Sequence, residues 1–282
     1  MPEVVPGPAE LRGRLLAIRR SGRSIGLVPT MGALHAGHRA LLEAARRQND
    51  TVVASIFVNP LQFNRKEDLE TYPRTMSEDL KVCDDCGVDL VFAPTEADLY
   101  PVEQLTFVES AALSQHLCGQ FRPGHFRGVA TVVLKLFNIV QPDRAYFGQK
   151  DAQQLAIIRR MVQDLNVPVT IVPIPTVREP DGLAISSRNQ LLTLDQRAVA
   201  PVLSRALRKA IDVIQNGEQR VAVIREQALA VITPCAQTRV EYFEVVDPEL
   251  LTPVEQVDGP VLVAAAMWLG PVRLIDNISW PD

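Results

Sequence analysis

The chain has 282 residues, 47% of them hydrophobic, and a formal net charge of −4. This length and composition support one large domain or two smaller ones, each with a true core. An acidic chain without a basic field is not built to hold a polynucleotide, and no apolar run reaches the roughly 18–20 residues of a membrane span.

In chain order, the first ten residues lack a basic segment followed by an apolar one, so no secretory signal is expected and a cytoplasmic protein is. Residues 9–20 read as an amphipathic helix with Leu11, Leu15 and Ile18 on one face. Residues 25–28 read as a buried strand, and a helix from Arg39 follows with Leu41, Leu42 and Ala45 at helical spacing. The β-prone run 51–58 predicts a strand buried on both faces, ending in Asn59-Pro60-Leu61-Gln62-Phe63, a Pro-broken loop with two amides. Residues 66–74 are polar and predicted irregular. Residues 77–86 predict a helix closed by Gly87, and 88–94 another strand. Cys83 and Cys86 end that helix instead of following a strand, and no second pair stands at zinc spacing, so they read as ordinary helix residues.

Residues 111–117 predict a short helix, 119–128 a loop rich in glycine and cations, and 129–140 a helix with Val132, Leu136 and Ile139 on one face. A short strand at 144–147 leads into Gly148-Gln149-Lys150-Asp151, which opens a helix through Arg160, and 169–172 reads as a fifth strand. Alternating strand and helix predict the α/β class, a parallel sheet with helices on both faces. Pro173 and Pro175 place a boundary there, giving domains 1–175 and 176–282. Beyond it, one long helix over 194–215, a helix over 221–232 and strands at 239–246, 261–268 and 272–275 predict a smaller α+β domain.

Chemistry concentrates in loops after strands, where open α/β sheets bind ligands. Pro29-Thr30-Met31-Gly32-Ala33-Leu34-His35-Ala36-Gly37-His38 holds two of the chain's four histidines, one helical turn apart at the mouth of a helix. Gly37 between them lets a ligand approach the backbone, and first-turn N–H groups favour an anion. Donors of both kinds suit a polyphosphate. Lys150 at its strand-to-helix turn reaches a phosphate as a point charge; Asp151 either caps the helix or meets a ribose hydroxyl. Ser186, Ser187 and Arg188, in a loop after Gly182, read alone as an ordinary turn and, beside the histidine loop, as a second phosphate clamp. Asp79 reads as a solvated helix carboxylate, so the metal ligands are left unassigned. His125 is either a hydrogen-bonded loop histidine or a gate to the site.

Taken together, the two phosphate loops resemble those of the nucleotidyltransferase superfamily that includes class I aminoacyl-tRNA synthetases. The series Pro-Thr-Met-Gly-Ala-Leu-His-x-Gly-His, Phe-Val-Asn-Pro-x-Gln-Phe, Tyr-Pro-Arg-Thr, Arg-Pro-Gly-His-Phe-x-Gly-Val, Phe-Gly-x-Lys-Asp and Ser-Ser-Arg-Asn, in this order, resembles the pantoate–β-alanine ligase family from about Ser24 onward. The resemblance implies a Rossmann-like N-terminal domain, a C-terminal lid and a homodimer. It also implies ATP-dependent joining of (R)-pantoate to β-alanine through a pantoyl adenylate, with Mg²⁺, releasing AMP and pyrophosphate. By the same resemblance ATP is bound by Met31, Gly32, Ala33, Leu34, His35, Ala36, Gly37 and His38, by Gly148, Gln149, Lys150 and Asp151, and by Val177, Ile185, Ser186, Ser187 and Arg188. His38 is the proton donor, and His35, Lys150 and Arg188 join it in supplying positive charge around the phosphates. Gln62 and Gln154 grip pantoate, and Gln62 also meets β-alanine. The family usually carries an acidic residue at Ala36, Glu at Gln149, an aromatic at Ala152 and Met at Ile185.

Two alternatives are carried forward. A different nucleotidyltransferase would retain the nucleotidyl group in its product. A silent nucleotide-binding protein would bind ATP without turnover.

Overall fold

The structure, a computed structural model, describes residues 1–64, 66–233, 235 and 237–281, the side chains of Lys66 and Glu67 excepted. A six-stranded, all-parallel sheet is built from β1 (Glu3–Val5), β2 (Ile25–Thr30), β3 (Thr51–Ile56), β4 (Leu90–Phe92), β5 (Arg144–Gly148) and β6 (Thr170–Ile174), in the spatial order β1-β4-β3-β2-β5-β6. From β2 the chain winds outward through β3 and β4, then returns to lay β5 on the other side of β2. The topological switch point therefore falls between β2 and β5, which is where such sheets place a ligand crevice.

Burial follows from sequence. All six side chains of β3 are buried, as expected for a strand covered by helices on both faces. On one face lie α1 (Pro8–Arg20), whose Leu11 and Leu15 are fully buried, α7 (His125–Val140) and α8 (Ala152–Asp164). On the other lie α2 (Ala36–Gln48) and α4 (Met76–Asp85), with Leu41, Leu42 and Cys83 in the core. Pro173 sits in β6, an edge strand paired only to β5, where its missing N–H leaves no ladder bond unmade. Cys83 and Cys86 are unpaired and buried at the end of α4. Burial pushes the Cys83 thiol up to about 12, so it behaves as a small apolar side chain.

The second sheet is antiparallel, in the order β7 (Thr238–Val246), β8 (Val261–Leu269), β9 (Val272–Trp280). α10 (Val202–Gln215) packs on β8 and β9, and α11 (Val221–Ile232) on β7, around a separate core that includes Leu203, Leu207, Phe243 and Met267. Among the described residues no helix is long and apolar enough to cross a membrane.

Several predicted elements change. Residues 194–215 form two helices, α9 (Leu194–Val199) and α10, because Pro201 lacks an N–H and crowds the preceding turn. Residues 111–117 make turns instead of a helix. Gln153 accepts the Cys118 N–H at 2.9 Å and donates to the Leu113 and His116 carbonyls at 2.8 and 2.7 Å, satisfying backbone groups that a helix would pair internally. The 119–128 loop is partly helical: α6 (Cys118–Phe121) takes in its first residues and α7 starts at His125. The stretch 66–74 contains α3 (Lys66–Glu70), and α5 (Glu96–Leu99) caps the end of β4. β1 is an edge strand absent from the sequence-based expectation: three residues before Pro6 carry no periodicity to detect.

Candidate active site

The histidine loop is set by its backbone. Gly32 and Ala33 both adopt left-handed conformations, at φ +82° and +51°, and the turn they make aims two N–H groups at Asp79. Asp79 Oδ2 accepts from Ala33 N at 3.1 Å, and Oδ1 accepts from Leu34 N at 2.7 Å and from Thr75 Oγ1 at 3.3 Å. The carboxylate is 1% exposed. Asp79 is thus a buried clamp on the loop, not the solvated carboxylate expected from sequence.

His35 is the N-cap of α2, with Nδ1 accepting the Gly37 N–H at 3.1 Å. His38 Nδ1 accepts the His35 N–H at 3.3 Å. A backbone N–H can only donate, so each neutral ring carries its proton on Nε2. The ring centroids lie 4.1 Å apart. A Cβ on Gly37 would sit 2.9 Å from His35 Cε1, so glycine there leaves room for the ring as well as for a ligand. Burial, followed by the Lys150 charge, pushes His35 down to about 4. Burial, followed by His35 and Lys150, takes His38 down to about 3. Both imidazoles are neutral at pH 7, which corrects the expectation that they add positive charge. They act as N–H donors.

Lys150 comes from the 3₁₀ turn Gln149–Asp151, between β5 and α8. The Asp151 side chain makes no helix-cap hydrogen bond. It lies 3.7 Å from Lys150 Nζ and is about half exposed (48%). Enclosure by the cleft alone would raise its carboxyl, but Lys150 and then Arg188 outweigh that and hold it below the usual range. Ser186 Oγ accepts the Arg188 N–H at 3.3 Å, shaping the serine–arginine loop, and the Ile185 N–H donates to Val177 O at 3.0 Å.

One cleft at the switch point is lined by Met31, His35, His38, Gln62, Lys150, Asp151, Gln154, Ser186, Ser187 and Arg188. Gly32 faces a neighbouring hollow beside Asp79, and Gln149 a groove on the far side of α8. Ala33, Leu34, Ala36, Gly37, Gly148, Val177 and Ile185 do not line the cleft and shape it through their backbone.

Asn59, Tyr72, Arg122 and His125 also line this cleft. Asn59 Nδ2 donates to Gln62 Oε1 at 3.1 Å and to Gly128 O at 3.1 Å, and Gln62 Nε2 donates to Met31 Sδ at 2.9 Å. This fixes the Gln62 amide between the histidine loop and α7. Gly128 permits the contact, since a Cβ there would lie 2.2 Å from Leu61 O. Tyr72 lines the same cleft as Ser187. Arg122 adds a third cation to the lining. His125 Nδ1 lies 2.7 Å from Gln62 O, an acceptor, so this ring carries its proton on Nδ1, the opposite tautomer to His35 and His38. Burial, then Arg122, pushes His125 down to about 4. Of the two readings the sequence offers for His125, the structure shows the hydrogen-bonded one, on the cleft wall; Tyr72 and Arg122 stand within motifs visible in the sequence, but nothing in their spacing marks them as cleft walls.

An α/β sheet whose switch-point crevice presents two imidazole N–H donors, a lysine, an arginine and a pair of amides defines a nucleotide-handling enzyme of the nucleotidyltransferase type. The pantoate-β-alanine ligase family model matches residues 3–279, and the chain belongs to that family. A pantothenate synthetase of Moorella thermoacetica is 53% identical over 276 residues, covering 98% of both chains. The crystal structure of the Thermus thermophilus enzyme superposes with a TM-score of 0.93 at 45% identity, covering 98% of both chains. That of Francisella tularensis pantoate-β-alanine ligase, complexed with beta-gamma ATP and β-alanine, gives 0.81 at 34% identity, covering 99% of this chain and 97% of that one.

Proposed function

We propose that this cleft activates (R)-pantoate with ATP and passes the acyl group to β-alanine, giving pantothenate, AMP and pyrophosphate. The observation that carries this is the convergence of His35, His38, Lys150 and Arg188 with the Gln62 and Gln154 amides in one crevice, in a chain of the pantoate–β-alanine ligase family.

In the first step a pantoate carboxylate oxygen attacks the α-phosphorus. The bond to the bridging oxygen of the β-phosphate breaks, and pyrophosphate leaves. Two anions must meet, so the site has to offset charge. Lys150 and Arg188 do so as cations, and His35 and His38 donate Nε2–H to phosphate oxygens without titrating. Removing one such pre-aimed donor typically costs about 10²–10³ in rate. Gln62 and Gln154 bind pantoate through amides, which orient the nucleophile without neutralising it. In the second step the free amine of β-alanine attacks the acyl carbon, the bond to the AMP oxygen breaks, and the amine gives up a proton.

Among the described residues no cluster of three or more metal-binding side chains is present. Asp151 is the carboxylate that opens onto the cleft, and Asp79 is committed to backbone N–H groups. That donor set suits Mg²⁺ carried in mainly by ATP oxygens, with Asp151 as its protein partner, because this ion keeps waters and takes one or two carboxylates. Bound there, Mg²⁺ would neutralise phosphate charge.

Residues 1–175 carry ATP and pantoate on this reading, and residues 176–282 close over them as a lid. A homodimer is supported by the family resemblance and by Val102 and Leu105, large apolar side chains 77% and 81% exposed in one stretch; sedimentation velocity tests it. Unpaired cysteines among the described residues suit the reducing cytoplasm, which also supplies ATP. Product analysis tests the function itself. Free AMP and pantothenate support ligation, whereas a product retaining the nucleotidyl group would indicate a transferase.

A further inference from the structure

Two adjacent residues of the C-terminal sheet reach both the turn that carries Lys150 and the ribbon that carries Arg188. Asn277, in β9, donates Nδ2 to the carbonyl oxygens of Gln149 at 3.0 Å and Lys150 at 2.9 Å. Its two amide hydrogens thus meet two consecutive acceptors of the turn that carries Lys150. Asn277 is itself fixed: its N–H donates to Asp276 Oδ1 at 2.8 Å, and its carbonyl accepts from Arg178 Nη2 at 3.3 Å. Asp276 is 4% exposed and holds Arg178 by two parallel bonds, at 2.6 and 2.9 Å. Bidentate pairs of this kind fix orientation as well as distance.

Arg178 leads to the second clamp. Its Nη1 donates to Gly182 O at 3.1 Å, and its backbone bridges Ala184. The neighbouring pair, Ile185 N to Val177 O, closes the short ribbon from which Ser186, Ser187 and Arg188 project. Residues 276 and 277 therefore brace the Lys150 turn on one side and the Arg188 loop on the other.

We infer that the Asp276–Asn277 pair sets the separation of Lys150 and Arg188, with Asn277 acting as a positioning residue for the adenylate-forming step. This rests on the role given to Lys150 above. Lys150 has a long, flexible stem, so its ammonium is aimed only as well as its backbone is held. A misplacement of about 1 Å at a reacting group can cost on the order of 10²-fold. The second step, attack of β-alanine on the acyl carbon, expels AMP and moves no charge onto pyrophosphate. It depends less on where Lys150 and Arg188 stand.

The test compares wild type, Lys150→Ala, Asn277→Ala, Asn277→Ser and the double variant Lys150→Ala/Asn277→Ala in two assays. One is single-turnover pyrophosphate release from ATP, Mg²⁺ and pantoate. The other is pantothenate formation from synthetic pantoyl adenylate and β-alanine. Asn277→Ala is expected to slow the first reaction about 10–100-fold and leave the second within about threefold, with Asn277→Ser intermediate because it keeps a short donor. Because both residues act through one ammonium, the double variant should be no more than about threefold slower than Lys150→Ala. Asn277→Asp keeps the shape but sets an acceptor against two acceptors, and it carries the same test if the alanine variant does not fold. Equal slowing of both reactions, wild-type rates in Asn277→Ala, or multiplicative losses in the double variant would overturn the inference. Wild-type adenylation in Lys150→Ala would remove the role of Lys150 and the inference with it. Loss in Lys150→Ala with none in Asn277→Ala would leave that role standing and reject the inference alone.

Discussion

Replacing Asp79 by Asn tests how the histidine loop is held. The carboxylate offers separate oxygens to Ala33 N and Leu34 N. An amide of the same shape keeps one oxygen and turns an NH₂ toward the other N–H. One charge-assisted bond is lost and one buried donor is left facing a donor, together costing about 2–4 kcal/mol. At roughly 2–4 °C per kcal/mol for a domain of this size, the melting temperature should fall by about 4–16 °C. The function should suffer more than the fold. Ala33 holds a left-handed backbone at φ +51°, an arrangement that costs about 1–3 kcal/mol and persists only where its surroundings impose it. With the clamp weakened the loop relaxes, and His35 and His38 lose their aim. Single-turnover adenylation should drop by at least about tenfold, measured well below the new melting temperature. An Asp79→Asn enzyme with wild-type melting and wild-type adenylation would refute the clamp.

Three other outcomes are expected. His35, His38 and His125 are held near 4, 3 and 4, below the ordinary histidine value, chiefly by burial. The unfolded chain therefore binds more protons than the native one below about pH 6.5, and stability falls as pH drops from there toward 4, by up to about 1.4 kcal/mol per unit for each ring. Above that window the rings contribute no pH dependence. His125→Gln, which can still donate to Gln62 O, should flatten the acid limb measured by thermal melts from pH 7 to 5; an unchanged slope would contradict the assignment. Gln62→Ala should raise the pantoate KM well beyond the ATP KM, and equal effects in steady-state kinetics would argue against its substrate role. Gly37→Ala should push the His35 ring from its position, since the new Cβ would stand 2.9 Å from Cε1; adenylation should fall by about tenfold or more, and a silent variant would show that the ring is not confined.

The parallel sheet was legible because its central strands are continuous apolar runs and its ligand loops carry glycine, proline and histidine in patterns with few structural alternatives. Residues 25–28 and 51–58 were found nearly whole for that reason. Local pattern failed where a distant side chain decides the outcome. Gln153 turns residues 111–117 away from a helix by taking their backbone partners, and no window around 115 contains Gln153. Pro201 was visible, but the strong apolar periodicity on either side of it masked the break. In the site, residue identity was read well and environment poorly. Asp79 looked solvated because its helix looked polar, and the histidines looked cationic because their burial is a tertiary property. Asn277 lies 127 residues from Lys150 in sequence, a separation that no spacing rule bridges.

The central claim is that pantoate is activated as an acyl adenylate, and an isotope experiment tests it most directly. Pantoate labelled with ¹⁸O in its carboxylate is turned over with ATP, Mg²⁺ and β-alanine, and the phosphorus products are analysed by mass spectrometry. Attack on the α-phosphorus predicts one ¹⁸O in each AMP and none in pyrophosphate. Label in pyrophosphate or inorganic phosphate, or unlabelled AMP alongside pantothenate, would contradict the account.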